Sequence, residues 1–209
     1  MTTSERTIEL THPDCFYIDG QWTPASSTET FEVLDCSTEQ VAARVARGWS
    51  IESGILHRIA KPRIGQFLGA AFRQYAQIAS TYPFVESRRS ASGHRAYGVK
   101  EPVGVVLAIV PWNGPAALTA YKVAPALLAG CTVVLKPSPE APTSAYLFAQ
   151  ICDEVGLPPG VVNVVTAERD VSEQLVRHPD VAKITFTGST AAGRSDRRGR
   201  PGKSVGFLT

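Results

Sequence analysis

The second half of the chain repeats one hydrophobic pattern. Short apolar runs rich in β-branched residues alternate with stretches whose apolar residues recur every three or four positions. The apolar runs, each predicted to be a buried strand, cover residues 103–110, 132–135, 161–165 and 182–187. The helical stretches cover residues 116–128, 143–155 and 171–177, and another is predicted to open at residues 188–190. This alternation favours an α/β fold with a doubly wound parallel sheet.

The pattern before residue 97 is weaker. Two short runs flank Asp19-Gly20, residues that tolerate positive φ, and this predicts a hairpin. Thr30 to Leu34 predicts a further strand. Ser37 to Gly48 is interpreted as a helix whose first residues fit a capping box. Apolar residues at helical spacing between 64 and 75 predict one amphipathic helix.

Composition and charge indicate an ordinary globular protein. Hydrophobic residues make up 44% of the 209 residues and charged residues 19%. The formal net charge of +2 gives no reason to expect binding to nucleic acid. Basic residues are concentrated after Gly193, so residues 195–209 are predicted to be a basic, disordered tail. Such a tail is usually only solvated, and a salt-dependent contact with nucleic acid is the alternative.

The four cysteines, at positions 15, 36, 131 and 152, show neither a CxxC pair nor zinc-ligand spacing, so no metal site is predicted. The first ten residues are polar, which is not typical of a signal peptide. A cytoplasmic location with reduced thiols is therefore expected. Prolines and Lys122 interrupt the apolar stretch 104–135, and we expect no membrane span there.

Candidate chemistry lies where the predicted parallel strands end, because such sheets bind ligands at that edge. Asn113 follows the first strand and could donate to a developing oxyanion, or it could simply form a turn with the two residues after it. Lys136 ends the second strand and could meet a ribose hydroxyl or a phosphate, with Glu140 accepting from a hydroxyl. The alternative for Lys136 is a solvated lysine at a strand end.

The segment Gly188 to Gly193 follows the last predicted strand and opens a helix. A helix N-terminus offers free N–H groups and the positive end of its dipole to a phosphate. The segment lacks the G-x-G-x-x-G spacing, and Ser189 could serve only as a helix cap. Lys122 lies among apolar residues of the first helix, where it could extend its amine to solvent or act in a proton relay near Asn113. Cys131 is interpreted as inert packing.

The order of four motifs is more specific than any one of them. The motifs are Val110–Asn113, Ala126–Pro137, Gly156–Val165 and Ile184–Thr190. Together they closely resemble the cofactor-binding domain of the NAD(P)-dependent aldehyde dehydrogenase superfamily. The resemblance is dense over residues 98–194, looser over 52–97 and faint over 13–48. It implies a Rossmann-like dinucleotide-binding domain over 97–194, incomplete in this chain, behind an apparently shortened hairpin and helical segment over 1–96.

The resemblance also implies roles for individual residues. Asn113 would stabilise an oxyanion, and Lys122 would take part in a proton relay. NAD or NADP would be bound by the following residues: Ile109, Val110, Pro111, Trp112, Lys136, Ser138, Glu140, Phe186, Gly188, Ser189 and Gly193. Among these, Lys136 would contact the adenosine ribose, while Gly188 and Ser189 would face the pyrophosphate.

The family reaction is the NAD(P)-dependent oxidation of an aldehyde to a carboxylic acid. It uses a cysteine nucleophile and a carboxylate base that lies in a Glu-Leu-Gly-Gly motif. This chain contains no such motif, and none of its cysteines matches the nucleophile. We therefore expect a truncated, inactive member that does not oligomerise and whose last strand leaves an unpaired sheet edge. A non-catalytic module that binds the cofactor or a partner protein is the alternative.

Further departures concern the cofactor site and the ends of the match. Pro139 stands where the family often has a ribose-binding glutamate, and Arg169 stands where it often has glycine. The choice between NAD and NADP therefore stays open. Residues from Ser195 onward are similar to an out-of-frame translation, and the abrupt change of pattern over 49–51 indicates that a family segment is missing.

Overall fold

The computed structural model describes residues 11–12, 15–24, 30–34, 41–46, 57–198 and 204–207. The strands are β1 Cys15–Ile18, β2 Gln21–Pro24, β3 Thr30–Leu34, β4 Val41–Ala46, β5 Val85–Arg89, β6 Arg95–Val99, β7 Val105–Val110, β8 Thr132–Pro137, β9 Val162–Val164, β10 Val181–Phe186 and β11 Ser204–Phe207. The helices are α1 His57–Thr81, α2 Pro115–Leu128, α3 Thr143–Glu154, α4 Arg169–Arg177 and α5 Thr190–Arg198. No helix in these described ranges is both long and apolar enough to cross a membrane.

One seven-stranded sheet organises the fold, with the strand order β11-β10-β7-β8-β9-β1-β2. Neighbouring strands from β11 to β9 run parallel. The N-terminal hairpin is added antiparallel at the far edge, where Tyr17 pairs with Val164. The sheet confirms the α/β class and the mostly parallel arrangement predicted from the hydrophobic pattern.

Helices cover both faces of this sheet. On one face, α2 and α3 bury residues such as Val123 and Phe148 against Val106, Ala108 and Val133. On the other face, Val176 of α4 and the partly buried Ala192 of α5 pack against Leu107, Ile109 and Ile184. Strands β7 and β8 place apolar residues in both clusters, as expected for the central strands of a doubly wound sheet.

The structure differs from the sequence predictions in the N-terminal part. Residues 41–46 form strand β4, which pairs antiparallel with β3, so the helix predicted over Ser37 to Gly48 is wrong. A short helix is costly to nucleate, whereas a hairpin satisfies the same backbone groups through its partner strand. Residues 37–40 and 47–48 of that prediction lie outside the described residues.

A second difference concerns the far edge of the sheet. The edge of β10 is paired with β11 over four residues, from Lys183 with Ser204 to Phe186 with Phe207, so the predicted unpaired edge there is wrong. Helix α5 also continues to Arg198, inside the segment predicted to be a disordered tail. Strand β11 completes the parallel ladder on the side of β10 that faces away from β7.

The predicted N-terminal turn is confirmed, since Asp19 and Gly20 have φ angles of 51° and 70°. The Asp19 amide donates to Asn163 Oδ1 at 2.8 Å, and Asn163 Nδ2 donates to the Gly160 carbonyl at 3.0 Å. A side chain at Gly20 would meet Pro159 at 2.9 Å. These contacts fix the hairpin against the turn that precedes β9.

Strands β5 and β6 form a separate two-stranded ribbon that the sequence pattern did not indicate. Its five-residue strands are largely exposed, and neither strand has a buried residue, in contrast to a core strand. Lys100 Nζ joins the two strands at the open end of the ribbon by donating to Glu86 Oε1 at 2.7 Å and to the Pro83 carbonyl at 2.8 Å. The ammonium group also lies 4.7 Å from the centre of the Tyr82 ring.

The Lys100–Glu86 contact is expected to break in acid. Hydrogen bonds from Lys100 and then Arg88 lower the pKa of Glu86 from 4.5 to about 2. A lowered carboxyl pKa stabilises the folded ribbon above pH 4.5, and this contribution is lost as the pH falls towards 2. The proton resonances of the Tyr82 ring should therefore shift with a midpoint well below 4.5. The variant Glu86→Gln should lack this transition, and an identical titration in both proteins would contradict the assignment.

Candidate functional site

The sheet reverses its strand order between β7 and β10, and this point defines the candidate site. From β7 the chain adds β8 and β9 on one side, then returns to place β10 on the other. Open α/β sheets bind ligands in the crevice at the carboxyl ends of the two strands that flank such a reversal. Here the Thr187 amide donates to the Ile109 carbonyl at 3.3 Å, so the ends of β10 and β7 are held side by side.

The end of β7 changes from buried to exposed within a few residues. Ile109 and Val110 are 8% and 1% exposed, whereas Trp112 is 56% exposed. Asn113 is exposed as well, immediately before helix α2 starts at Pro115. The strand therefore holds Pro111, Trp112 and Asn113 at the mouth of the crevice, and their roles toward a cofactor stay a prediction.

The end of β10 forms the opposite side of the crevice. The Phe186 ring is buried and folds back over Gly188, where an added Cβ would lie only 2.6 Å from ring atom Cζ. Ser189 is exposed and caps α5, because its Oγ accepts from the Ala192 amide at 3.3 Å. Its carbonyl accepts from Gly193, which is buried. The predicted helix start at Gly188–Thr190 is thus confirmed.

The end of β8 carries the polar residues of the Lys-Pro-Ser segment. Lys136 is 8% exposed, so the alternative of a solvated lysine is wrong. Ser138 Oγ donates to Glu140 Oε2, which orients that exposed carboxylate beside the end of the strand. These three residues lie one strand away from the crevice, on the β9 side of β7.

Lys122 lies beneath the crevice, between α2 and β10. Its side chain is 2% exposed, so the interpretation that it extends to solvent is wrong. Nζ donates to Thr185 Oγ1 at 3.1 Å, and burial lowers the pKa of Lys122 to about 8. An amine with this pKa can gain or lose a proton near neutral pH.

Several hydroxyl groups near this edge were not singled out from the sequence. Within the described residues, Thr119 Oγ1 and Thr187 Oγ1 are buried and have no hydrogen-bond partner. Thr119 lies one helical turn before Lys122, and Thr187 follows Thr185 on the same side of β10. Threonines in strands and helices carry no distinctive signal, so neither residue stands out in the sequence.

The described cysteines lie away from the crevice. Cys15, Cys131 and Cys152 are buried. Burial raises the pKa of the Cys152 thiol from 9.0 to about 12. These side chains act as packing groups, in agreement with the interpretation of Cys131 from the sequence. Cys36 lies outside the described residues.

Comparison with known proteins decides the family. The profile of the aldehyde dehydrogenase family matches residues 37–196. The chain belongs to the aldehyde dehydrogenase family. It is 42% identical over 158 residues to geranial dehydrogenase of Castellaniella defragrans, a match that covers 76% of this chain and 33% of that protein. It is 32% identical over 241 residues to the NADP/NAD-dependent aldehyde dehydrogenase PuuC of Escherichia coli, which covers 91% of this chain and 48% of PuuC.

Solved aldehyde dehydrogenases share the fold. An aldehyde dehydrogenase from Mycobacterium tuberculosis, complexed with NAD+, superposes with a TM-score of 0.85 at 30% identity, covering 95% of this chain and 52% of that one. The aldehyde dehydrogenase from Bartonella henselae gives a TM-score of 0.69 at 29% identity, with 92% and 51% covered. The chain thus spans about a third to a half of the length of these relatives.

The match to PuuC also indicates that a segment is missing inside this aldehyde dehydrogenase chain. It extends over 241 residues, more than the 209 of the chain itself. PuuC therefore has residues within the matched region that have no counterpart here. The position of the missing segment near residues 49–51 stays a prediction.

Proposed function

We propose that this chain is the NAD(P)-binding part of an aldehyde dehydrogenase. The observation that carries the proposal is the crevice between β7 and β10, where the Gly188 turn and the start of α5 face the exposed end of β7. The family match and the neighbour that is complexed with NAD+ support it. The relatives named above are NADP/NAD-dependent or act as geranial dehydrogenase, so an aldehyde is the proposed substrate class of the whole protein.

The residues present suit a pyrophosphate. The first amides of a helix lack intrahelical acceptors, so those of Thr190 and Ala191 are suited to receive an anion at the start of α5. Gly188 leaves the space next to the Phe186 ring that a side chain would fill. Small groups let a phosphate approach the backbone closely, and Ser189 adds a hydroxyl at the same position.

The two halves of the cofactor would extend in opposite directions from this point. Lys136 and Glu140, at the end of β8, would hold the adenosine ribose, and Ser138 keeps the Glu140 carboxylate in place. Trp112 and Asn113 would border the nicotinamide half. When bound, NAD(P) accepts a hydride from the carbon that is oxidised. Asn113 would then donate its side-chain amide to the oxygen on that carbon, where negative charge develops.

Lys122 would support proton transfer from beneath the crevice. Its buried amine is held by Thr185, and its lowered pKa allows proton exchange near neutral pH. Helix α2 contains Lys122 and starts two residues after Asn113. This one helix would therefore fix the position of the amine relative to the proposed oxyanion.

The 209 residues are expected to bind cofactor without oxidising aldehydes. A thiolate is the nucleophile in this chemistry, and a thiol with a pKa of about 12, such as Cys152, stays protonated at neutral pH. Cys15 and Cys131 are buried as well, and the sequence has no Glu-Leu-Gly-Gly motif.

Calorimetric titration of the purified chain with NAD and with NADP tests the cofactor proposal. One bound dinucleotide per chain is expected, with displacement by ADP-ribose. Assays with geranial and short aliphatic aldehydes should show no formation of reduced cofactor. Absence of binding to both dinucleotides would contradict the cofactor role. Cys36 is the remaining cysteine of the chain. Aldehyde oxidation by the parent chain that disappears in Cys36→Ser would contradict the prediction that the chain is inactive.

A non-catalytic module that binds cofactor or a partner protein is the second candidate function. The exposed ribbon β5–β6 favours it, because Val85, Tyr97 and Val99 are each about 60% exposed there. Co-purification of the chain with a full-length aldehyde dehydrogenase, lost in Tyr97→Lys, would support this candidate. Identical recovery of the partner with both proteins would exclude the ribbon as the contact.

A further inference from the structure

A buried pair of hydroxyl groups joins helix α3 to the loop after β9. Tyr146 Oη and Thr166 Oγ1 lie 2.9 Å apart. Their side chains are 2% and 5% exposed, so water does not compete for this hydrogen bond. Tyr146 sits in the first half of α3, and Thr166 is the second residue after β9 ends at Val164.

The loop that contains Thr166 lies at the edge where β8 ends. The Val165 amide donates to the Leu135 carbonyl at 3.0 Å, which sets Thr166 beside Lys136 and Pro137. The loop then continues to Glu168, whose carbonyl accepts the Ser172 hydroxyl at 2.7 Å within α4. The Tyr146–Thr166 bond is therefore the side-chain contact that fixes the beginning of this loop.

We infer that Tyr146 is a positioning residue for the adenosine-ribose end of the cofactor site, acting through Thr166 on the loop between β9 and α4. The inference rests on the proposed function, which assigns that end of the cofactor to Lys136 and its neighbours. Tyr146 would not contact the cofactor itself. It would instead fix the loop between β9 and α4, against which the ribose would bind.

The hydroxyl of Tyr146 can be removed by substitution without disturbing the packing of its ring. The ring packs against Trp22 of the N-terminal hairpin, with ring centres 6.2 Å apart, and belongs to the main core cluster. Burial raises the pKa of Tyr146 well above its usual range, so the hydroxyl stays protonated. Removing only the hydroxyl keeps the packing and leaves Thr166 with an unsatisfied buried oxygen.

Binding of the two halves of the cofactor tests this inference. In Tyr146→Phe, the affinities for NAD and for AMP should both fall about fivefold, the range expected for one buried hydrogen bond. The affinity for nicotinamide mononucleotide should not change, because that half lies at the ends of β7 and β10. Thr166→Val should reproduce part of the loss, because the Tyr146 hydroxyl also bonds the Thr166 backbone, and the double variant should be no weaker than Tyr146→Phe alone.

Tyr17→Phe provides the matched control. Tyr17 is also 2% exposed and also packs on Trp22, with ring centres 5.0 Å apart, but it lies on β1. Its variant should bind AMP as the parent does. Equal losses for AMP and nicotinamide mononucleotide in Tyr146→Phe, or additive losses in the double variant, would overturn the inference. If the parent chain binds no NAD at all, the proposed function itself is wrong.

Discussion

Replacement of Gly188 by alanine is expected to lower the affinity for NAD and NADP by about tenfold or more. The new Cβ would lie 2.6 Å from Phe186 Cζ and 3.2 and 3.3 Å from two further ring carbons. Phe186 is 8% exposed and packed into the core beside Ile109, so the ring cannot swing away freely. The turn must shift instead, and it carries Ser189 and the first amides of α5 with it. Overpacking of this kind also costs about 1–3 kcal/mol of stability.

Calorimetric titration of the Gly188→Ala protein with each dinucleotide measures the effect. Gly98→Ala is the matched control, since a Cβ at Gly98 on the exposed ribbon would have nothing within 4 Å. That variant should bind as the parent does. Parent-like affinity in folded Gly188→Ala would exclude the turn before α5 as the pyrophosphate position.

Replacement of Lys122 by methionine is expected to stabilise the fold at neutral pH. Burial lowers the pKa of Lys122 from 10.5 to about 8, so the unfolded chain holds this proton more tightly than the folded protein. The free energy of unfolding of the parent protein should therefore rise as the pH increases from about 8 to 10.5. Below pH 8 the lysine is charged in both states, and burying its charge costs about 3 kcal/mol. Methionine removes this cost but leaves the Thr185 hydroxyl unpaired, so a net gain of about 2 kcal/mol is expected.

Urea unfolding at several pH values between 7 and 10 measures this difference on the scale of about 1 kcal/mol or better. The comparison is between variant and parent, because burial raises the pKa of Cys152 from 9.0 to about 12 and adds a pH dependence of opposite sign to both proteins. Lys183→Met, at a half-buried lysine of β10, controls for simple loss of a charge. A stability difference that stays constant across the range would show that folding does not lower the pKa of Lys122.

The parallel sheet could be predicted because its strands are buried on both faces. Leu107, Leu135 and Ile184 are fully buried, and runs of such residues have no polar interruption to obscure them. Strand β4 could not be recognised in this way. Its residues form a hairpin with β3, and a short run of valine, alanine and arginine fits a helix or a strand. The pairing of β4 with β3 decides that the segment is a strand, and a local hydrophobic pattern carries no information on such pairing.

The candidate site shows the same division. Asn113, Lys136 and Gly188 were found because each follows directly on a predicted strand, and the topology brings their ends to one edge. The burial of Lys122 and its bond to Thr185 depend on how α2 packs on the sheet, because Thr185 lies about sixty residues further along the chain. The Tyr146–Thr166 bond likewise joins two elements whose sequences give no sign of it.

The position of the N-terminal hairpin has a consequence for folding during synthesis. Strand β1 joins the sheet only through β9, where Tyr17 meets Val164, so about 147 residues must be made between the two partners. Before α3 and β9 are made, the apolar side of the hairpin, with Tyr17 and Trp22, lacks the partners that cover it in the folded protein. A ribosome-bound chain that stops before β9 should therefore bind chaperones through this hairpin, and release should follow once α3 and β9 have emerged.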